Sequence, residues 1–222
     1  MLLAARQDGS AGAHEALERL CTRYWPSIYG FLRRRGWGAP DAEDLTQEFF
    51  AGLLHENAFV RADPTRGRFR NFLLGALQRF LAGQHRRNGA RKRAGGKLVL
   101  ALDFAAVEEC YLNEADPGLT PEEVFDRRWA ATVLEAAYAD LELEFRAAGQ
   151  TERFAELRRF LSIDATDADY DAIAVRLALK PKAVSAAVCR LRERYRELVR
   201  RTVLATVSGP EEIDPEFREL FR

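Results

Sequence analysis

Apolar residues recur at three- and four-residue steps along most of the 222-residue chain. No stretch shows the two-residue alternation, bounded by turns, that marks a half-buried strand. The pattern predicts an all-α protein. A first helix runs from about His14 to Arg35, with Leu17, Leu20, Cys21, Tyr24, Ile28, Phe31 and Leu32 on its apolar side. Gly36 and Gly38 stop it. Pro40 suits the first turn of a second helix, and Asp41, Glu43 and Asp44 suit the positive end of its dipole. That helix reaches about His55. The turn Asp63-Pro64-Thr65-Arg66-Gly67 leads into a third, about Arg68 to Arg87, with Phe69, Phe72, Leu73, Leu77, Phe80 and Leu81 on one face.

The periodicity lapses over residues 88–120, which read as a linker. The linker begins basic and Gly-rich and turns acidic. Its run Leu98 to Leu102 is a short strand or an apolar anchor, and periodicity does not decide between them. A second lobe starts at Thr120-Pro121-Glu122-Glu123, a capping box with proline at the first helical position. Phe125, Trp129, Val133, Leu134, Ala137, Leu141 and Phe145 follow at helical spacing, and Gly149 ends that helix. A short helix covers about Thr151 to Leu161, and two more cover about Asp169 to Leu177 and Pro181 to Val207. The tail 208–222 is amphipathic, with Ile213, Phe217, Leu220 and Phe221 along one side. The resulting plan is a domain over 1–87, a linker over 88–120, a domain over 121–207 and the tail.

Charge changes this picture. The chain holds 34 basic and 34 acidic residues, so it is formally neutral, but the signs are segregated. Trp37 to Glu56 has five acids and no base, while Arg61 to Lys97 has eleven bases against Asp63 alone. An acidic apolar helix beside a basic aromatic one suggests a protein partner for the first and a nucleic acid, with bases to stack upon, for the second. Phe69, Phe72 and Phe80 share the apolar face, so periodicity favours the core for them over base stacking. That shifts base capture toward the loop Phe59 to Gly67. Cys21, Cys110 and Cys189 lie far apart and make neither a zinc signature nor a disulfide framework, which suits a reducing cytoplasm. No apolar run is long enough for a bilayer span, so no membrane partner is expected.

Between Tyr170 and Arg190 the chain reads as a helix-turn-helix. Ala174 is the small residue at the crossing, and Ile173, Leu177, Leu179, Val184 and Ala187 fall where the apolar contacts belong. Ala178 takes the turn position where glycine is frequent. Lys180, Lys182, Ser185, Ala186, Cys189 and Arg190 point away from the apolar face, toward the base edges and phosphates of a major groove. Farther along, Arg194 belongs to the same basic stretch.

Together these features resemble the two-domain, extracytoplasmic-function sigma factors of bacterial RNA polymerase. Asp41-Ala42-Glu43-Asp44-Leu45-Thr46-Gln47-Glu48-Phe49-Phe50 is similar to the family's polymerase-binding helix. Arg66-Gly67-Arg68-Phe69-Arg70-Asn71-Phe72-Leu73 is similar to the start of its promoter-melting helix, where many members have Trp at the position of Phe72. The resemblance covers about residues 14–87 and 121–201. It implies that Asp41, Glu43, Asp44, Leu45, Gln47, Glu48 and Phe50 meet core RNA polymerase. It implies that Arg61, Arg66, Arg68, Arg70, Asn71, Arg79, Arg86 and Arg87 hold the melted minus-ten strand. Lys180, Lys182, Ser185, Ala186, Cys189, Arg190 and Arg194 would read the minus-thirty-five duplex. Promoter DNA is then bound both as duplex and melted, no cofactor is needed, and an anti-sigma factor or other regulator is a further partner. The acidic linker either imitates nucleic acid in a polymerase channel or solubilises the chain. A long linker and the added tail depart from a minimal member.

Two other classes compete. A helix-turn-helix regulator without polymerase affinity would leave the acidic and the basic aromatic helices unemployed. An enzyme would need catalytic spacings that the sequence lacks. His14, His55 and His85 have Ala11, Gly52 and Ala82 three residues earlier, so no Glu-x-x-His pair of a di-metal bundle exists. No P-loop, nucleophile elbow or zinc motif is present. The expectation is a non-enzymatic protein.

Overall fold

Several helix boundaries have a local cause. The computed structural model describes residues 10–55, 68–87, 102–113, 116–162 and 166–221. Among these the chain is helical and contains no strand: α1 (Ser10–Arg34), α2 (Ala39–His55), α3 (Phe69–Arg87), α4 (Phe104–Asn113), α5 (Pro121–Ala147), α6 (Thr151–Leu157), α7 (Asp167–Arg176), α8 (Pro181–Leu204) and α9 (Ile213–Leu220). A 3-10 turn, Arg158–Leu161, continues α6, and another, Pro210–Glu212, precedes α9. α1 ends at Gly36, whose φ of 94° is left-handed. There Gly36 N–H donates to Arg33 O and Trp37 N–H to Leu32 O, the paired bonds of a Schellman motif. α5 begins at the expected capping box, with Thr120 N–H donating to Glu123 Oε2 (2.7 Å) and Glu123 N–H to Thr120 Oγ1 (3.2 Å).

Several elements and element ends differ from the sequence reading. The stretch read as a linker carries α4. α7 starts two residues earlier than expected, because Thr166 and Asp169 form a second capping box. α8 ends at Leu204 rather than Val207. Of the run Leu98 to Leu102, only Leu102 lies inside the described residues.

The described chain forms two compact units. One draws on the chain up to Thr132 and again from Leu204, and the other is Val133–Val203. The division falls inside α5, so Phe125 and Trp129 belong to the first unit and Val133, Ala137 and Leu141 to the second. In the first, the Trp129 ring is fully buried and stacks on Tyr24 of α1, with centroids 3.8 Å apart and planes at 11°. Phe69 of α3 and Phe125 pack on the same indole, at 5.9 and 5.8 Å. Leu20, Ile28, Phe31, Leu32, Phe49, Phe50, Leu73 and Leu77 complete this core. α4 docks on α1: Phe104 packs edge-on against Trp25 (4.7 Å), and Glu108 accepts from Tyr29 Oη (2.7 Å) and from Arg33 Nε and Nη2 (2.9 and 2.7 Å).

The second unit buries Val133, Leu141, Phe154, Leu157, Phe160, Ile173, Val184, Val188, Leu191, Leu198 and Val203. Polar ties hold α8 to its neighbours there. Tyr195 Oη donates to Leu134 O (3.1 Å), and Arg192 Nε donates to Phe160 O (2.8 Å), closing the 3-10 turn.

Candidate functional site

α7 and α8 meet at a tight turn. Ile173 and Ala174 on α7 and Val184 and Ala187 on α8 are all buried. Ala178 has φ 51°, with its N–H donating to Val175 O and that of Leu179 donating to Ala174 O. This is again a Schellman turn, now with alanine where glycine is the unstrained choice. Leu179, expected among the apolar contacts, is 38% exposed.

The turn delivers Lys180 and Pro181 to the amino end of α8. Lys180, Lys182, Cys189 and Arg190 are exposed, and Ser185 and Ala186 are half-buried between them. Steps of three and four residues put Lys182, Ser185, Ala186, Cys189 and Arg190 on one face. Neither lysine nor Arg190 pairs with a described carboxylate, so three cations face solvent near the positive end of the helix dipole. Arg194 differs. Its guanidinium is held by both oxygens of Glu144 (2.8 and 2.7 Å) and by Glu197 (2.7 Å), and these bonds raise its pKa above the ordinary arginine value. Sequence could not foresee that α5 supplies its partner.

On α2, Asp41, Asp44 and Glu48 form an exposed acidic stripe, with Glu43, Leu45 and Gln47 half-buried at its edge. Glu48 accepts a hydrogen bond from Gln84 Nε2 of α3 (2.6 Å). Phe50 does not share that stripe. It is 1% exposed and packs on Phe49 at 5.3 Å, because Ala42, Thr46, Phe49, Phe50, Leu53 and Leu54 all face the core. Of the apolar residues named for a protein partner, Leu45 alone reaches the surface.

The basic residues of the third helix separate into groups. Arg61, Arg66 and the loop Phe59 to Gly67 lie outside the described residues. Asn71 and Arg79 are exposed on α3, and Arg86 and Arg87 close it. Phe69 is core, Phe80 packs on Phe49 (5.6 Å), and Phe72 stacks on Phe69 (6.2 Å).

Arg68 and Arg70 are committed to carboxylates. Arg68 contacts Glu212 (3.2 Å), Glu216 (2.9 Å) and Glu219 (2.5 Å). Arg70 contacts Glu216 (2.8 Å), Glu219 (2.7 Å) and Asp126. Arg70 is 4% exposed, and Glu216 is fully buried. Burial works to lower the Arg70 pKa, and the hydrogen bonds and charge of Glu216 and Asp126 outweigh it, keeping the guanidinium charged. Burial raises the Asp126 pKa, against the pull of Arg70, and the Arg68 hydrogen bond lowers that of Glu219. Beside them Phe69 N–H donates to Thr206 O (2.9 Å). As placed, Arg70 cannot meet a ligand in solution, contrary to its expected exposure on a basic helix. A residue's own helix does not reveal that a segment more than a hundred positions later will cover it.

Among the described residues no group of three or more His, Cys, Asp and Glu could hold a metal ion. No described helix is long and apolar enough to cross a membrane. No family model, curated protein or solved structure matches the chain.

Proposed function

We propose that this chain is a sigma factor of the extracytoplasmic-function type, which binds core RNA polymerase and directs it to open a promoter. The observation that carries the reading is the amino end of α8. There Lys180, Lys182 and Arg190 face solvent without a described partner behind a turn tight enough to present the helix end-on. In the helix-turn-helix reading α8 enters the major groove of the minus-thirty-five element. The lysines meet phosphates, Ser185 and Ala186 permit close approach, and Arg190 reaches farther along the groove. Arg194 contributes only after exchanging Glu144 for phosphate.

The exposed stripe Asp41, Asp44 and Glu48, with Leu45 at its edge, suits a basic protein surface. Charge complementarity of this kind speeds docking and rejects wrong partners. Asn71, Arg79, Arg86 and Arg87, with Arg61, Arg66 and the loop before α3, are the groups assigned to the unpaired minus-ten strand, where cations along the backbone are required. The protein works in this scheme as a non-enzymatic, cytoplasmic specificity factor and needs no cofactor.

The test is co-purification with core polymerase, followed by transcription from a genomic promoter library. Expected are stoichiometric binding and discrete start sites. Reversing charge at Asp44 and Glu48 should weaken polymerase binding while the protein stays folded. Tight binding to duplex DNA without any affinity for polymerase would replace the proposal with a helix-turn-helix regulator.

A further inference from the structure

The tail segment behaves electrostatically as an anionic ligand of α3. Glu212, Glu216 and Glu219 lie within one short stretch, and all three engage Arg68. The guanidinium fork accepts carboxylate and phosphate with the same paired N–H geometry. The three carboxylates are not equivalent. Glu216 is fully buried between Arg68 and Arg70 and belongs to the fold. Glu212 and Glu219 keep side chains 41% and 44% exposed. Ion pairs with that much solvent access are worth little, so a dissolved anion can replace them without stripping a charge of its partner.

The two arginines differ in the same way. Arg70 would keep Glu216 and Asp126 if Glu219 withdrew. Arg68 would keep only Glu216, through a single Nη1 contact, and its side chain is already more open than that of Arg70, 13% against 5%. Arg68 is therefore the cation that withdrawal of the two rim carboxylates sets free.

We propose that the segment Pro210–Leu220 is an intramolecular substitute for nucleic-acid phosphates at Arg68, holding this arginine closed until a single strand displaces Glu212 and Glu219. The identity of the displacing strand rests on the promoter reading above. Arg70 is a positioning residue in this scheme, fixing α9 through Glu216, and it stays paired throughout. The tail is then a gate at the start of the strand-holding helix.

The experiment measures binding of the full chain to a labelled single-stranded oligodeoxynucleotide as a function of salt. Glu212→Gln combined with Glu219→Gln should tighten binding about fivefold at low salt and steepen the salt slope by roughly 0.7, the value for one more phosphate neutralised on a single strand. Adding Arg68→Ala should abolish both gains. A charge-matched control, Glu109→Gln with Glu152→Gln, at exposed residues outside the segment, should give no steeper slope. In the wild type the oligonucleotide should leave amide exchange across Ile213–Leu220 unchanged, because Arg70 and Glu216 stay paired. An unchanged slope in the folded double variant, or a gain that survives Arg68→Ala, overturns the proposal. Core-polymerase binding measured on the same samples judges the sigma-factor reading separately. Its absence alongside a steeper slope would sink that reading and leave the gate standing.

Discussion

Arg70 Nε donates to Glu216 Oε1 at 2.8 Å across 146 positions of sequence, and the carboxylate is fully buried. Removing one member of a buried pair strands the other's charge, which costs far more than the pair itself contributes. Glu216→Ala should lower stability by about 3 kcal/mol, the low end for such a loss because Asp126 and Glu219 still face Arg70. Glu216→Leu with Arg70→Met should recover part of that. Denaturant unfolding of the three variants checks both statements.

Ala178 occupies a left-handed position at φ 51°. That conformation costs an L-residue with a Cβ roughly 1–2 kcal/mol, and glycine avoids it while giving back a few tenths through its looser unfolded chain. Ala178→Gly should therefore raise stability by about 0.5–1 kcal/mol. A lower melting temperature in this variant would mean that the alanine methyl makes a contact worth more than the strain.

Lys182→Ala and Arg190→Ala remove solvent-facing cations that support nothing in the fold. Unfolding midpoints should not move. If α8 reads a duplex, binding should weaken at every sequence through Lys182, and the salt slope should fall by about 0.9 for each phosphate no longer neutralised. Polymerase binding should be unaffected.

The Arg33–Glu108–Tyr29 cluster predicts an acid dependence. Burial tends to raise the Glu108 pKa, but the hydrogen bonds from Arg33 and Tyr29 win and hold it below the ordinary 4.5. A depressed carboxyl stabilises the fold above its unfolded value and loses that contribution as pH falls through its folded one. Glu108→Gln should thus be less stable than wild type at neutral pH, with the gap closing below about pH 4.5. Asp126, whose pKa burial raises, works in the opposite sense, so Asp126→Asn should shrink most at neutral pH any penalty of burying that carboxylate. Thermal midpoints of the two variants across the acid range separate the contributions.

Local signals were readable where a few adjacent residues decide the outcome. Gly36, Gly149 and the Thr120–Glu123 box end or begin helices by backbone bonds their own neighbours make. The buried positions Ile173, Ala174, Val184 and Ala187 followed from spacing alone. The Thr166–Asp169 box carries the same kind of signal, masked by the polar residues around it. What sequence could not convey is satisfaction at a distance. A basic residue looks identical whether it faces water, as Lys182 does, or a carboxylate on a remote segment, as Arg70 does. Phe50 shows the converse ambiguity: α2 has more apolar residues than a single narrow stripe needs, and the packing of α2 decides which of them are covered.

The membership of Trp129 and of the tail in the first unit bears on how the chain is made. Val133–Val203 is one uninterrupted stretch and can complete its core while later residues are still to be added. The other unit cannot. Tyr24 waits for Trp129, and Arg70 waits for Glu216. During synthesis α1 and α3 therefore precede the residues that seal them, with Tyr24 uncovered until Trp129 is made and Arg70 until Glu216 is made.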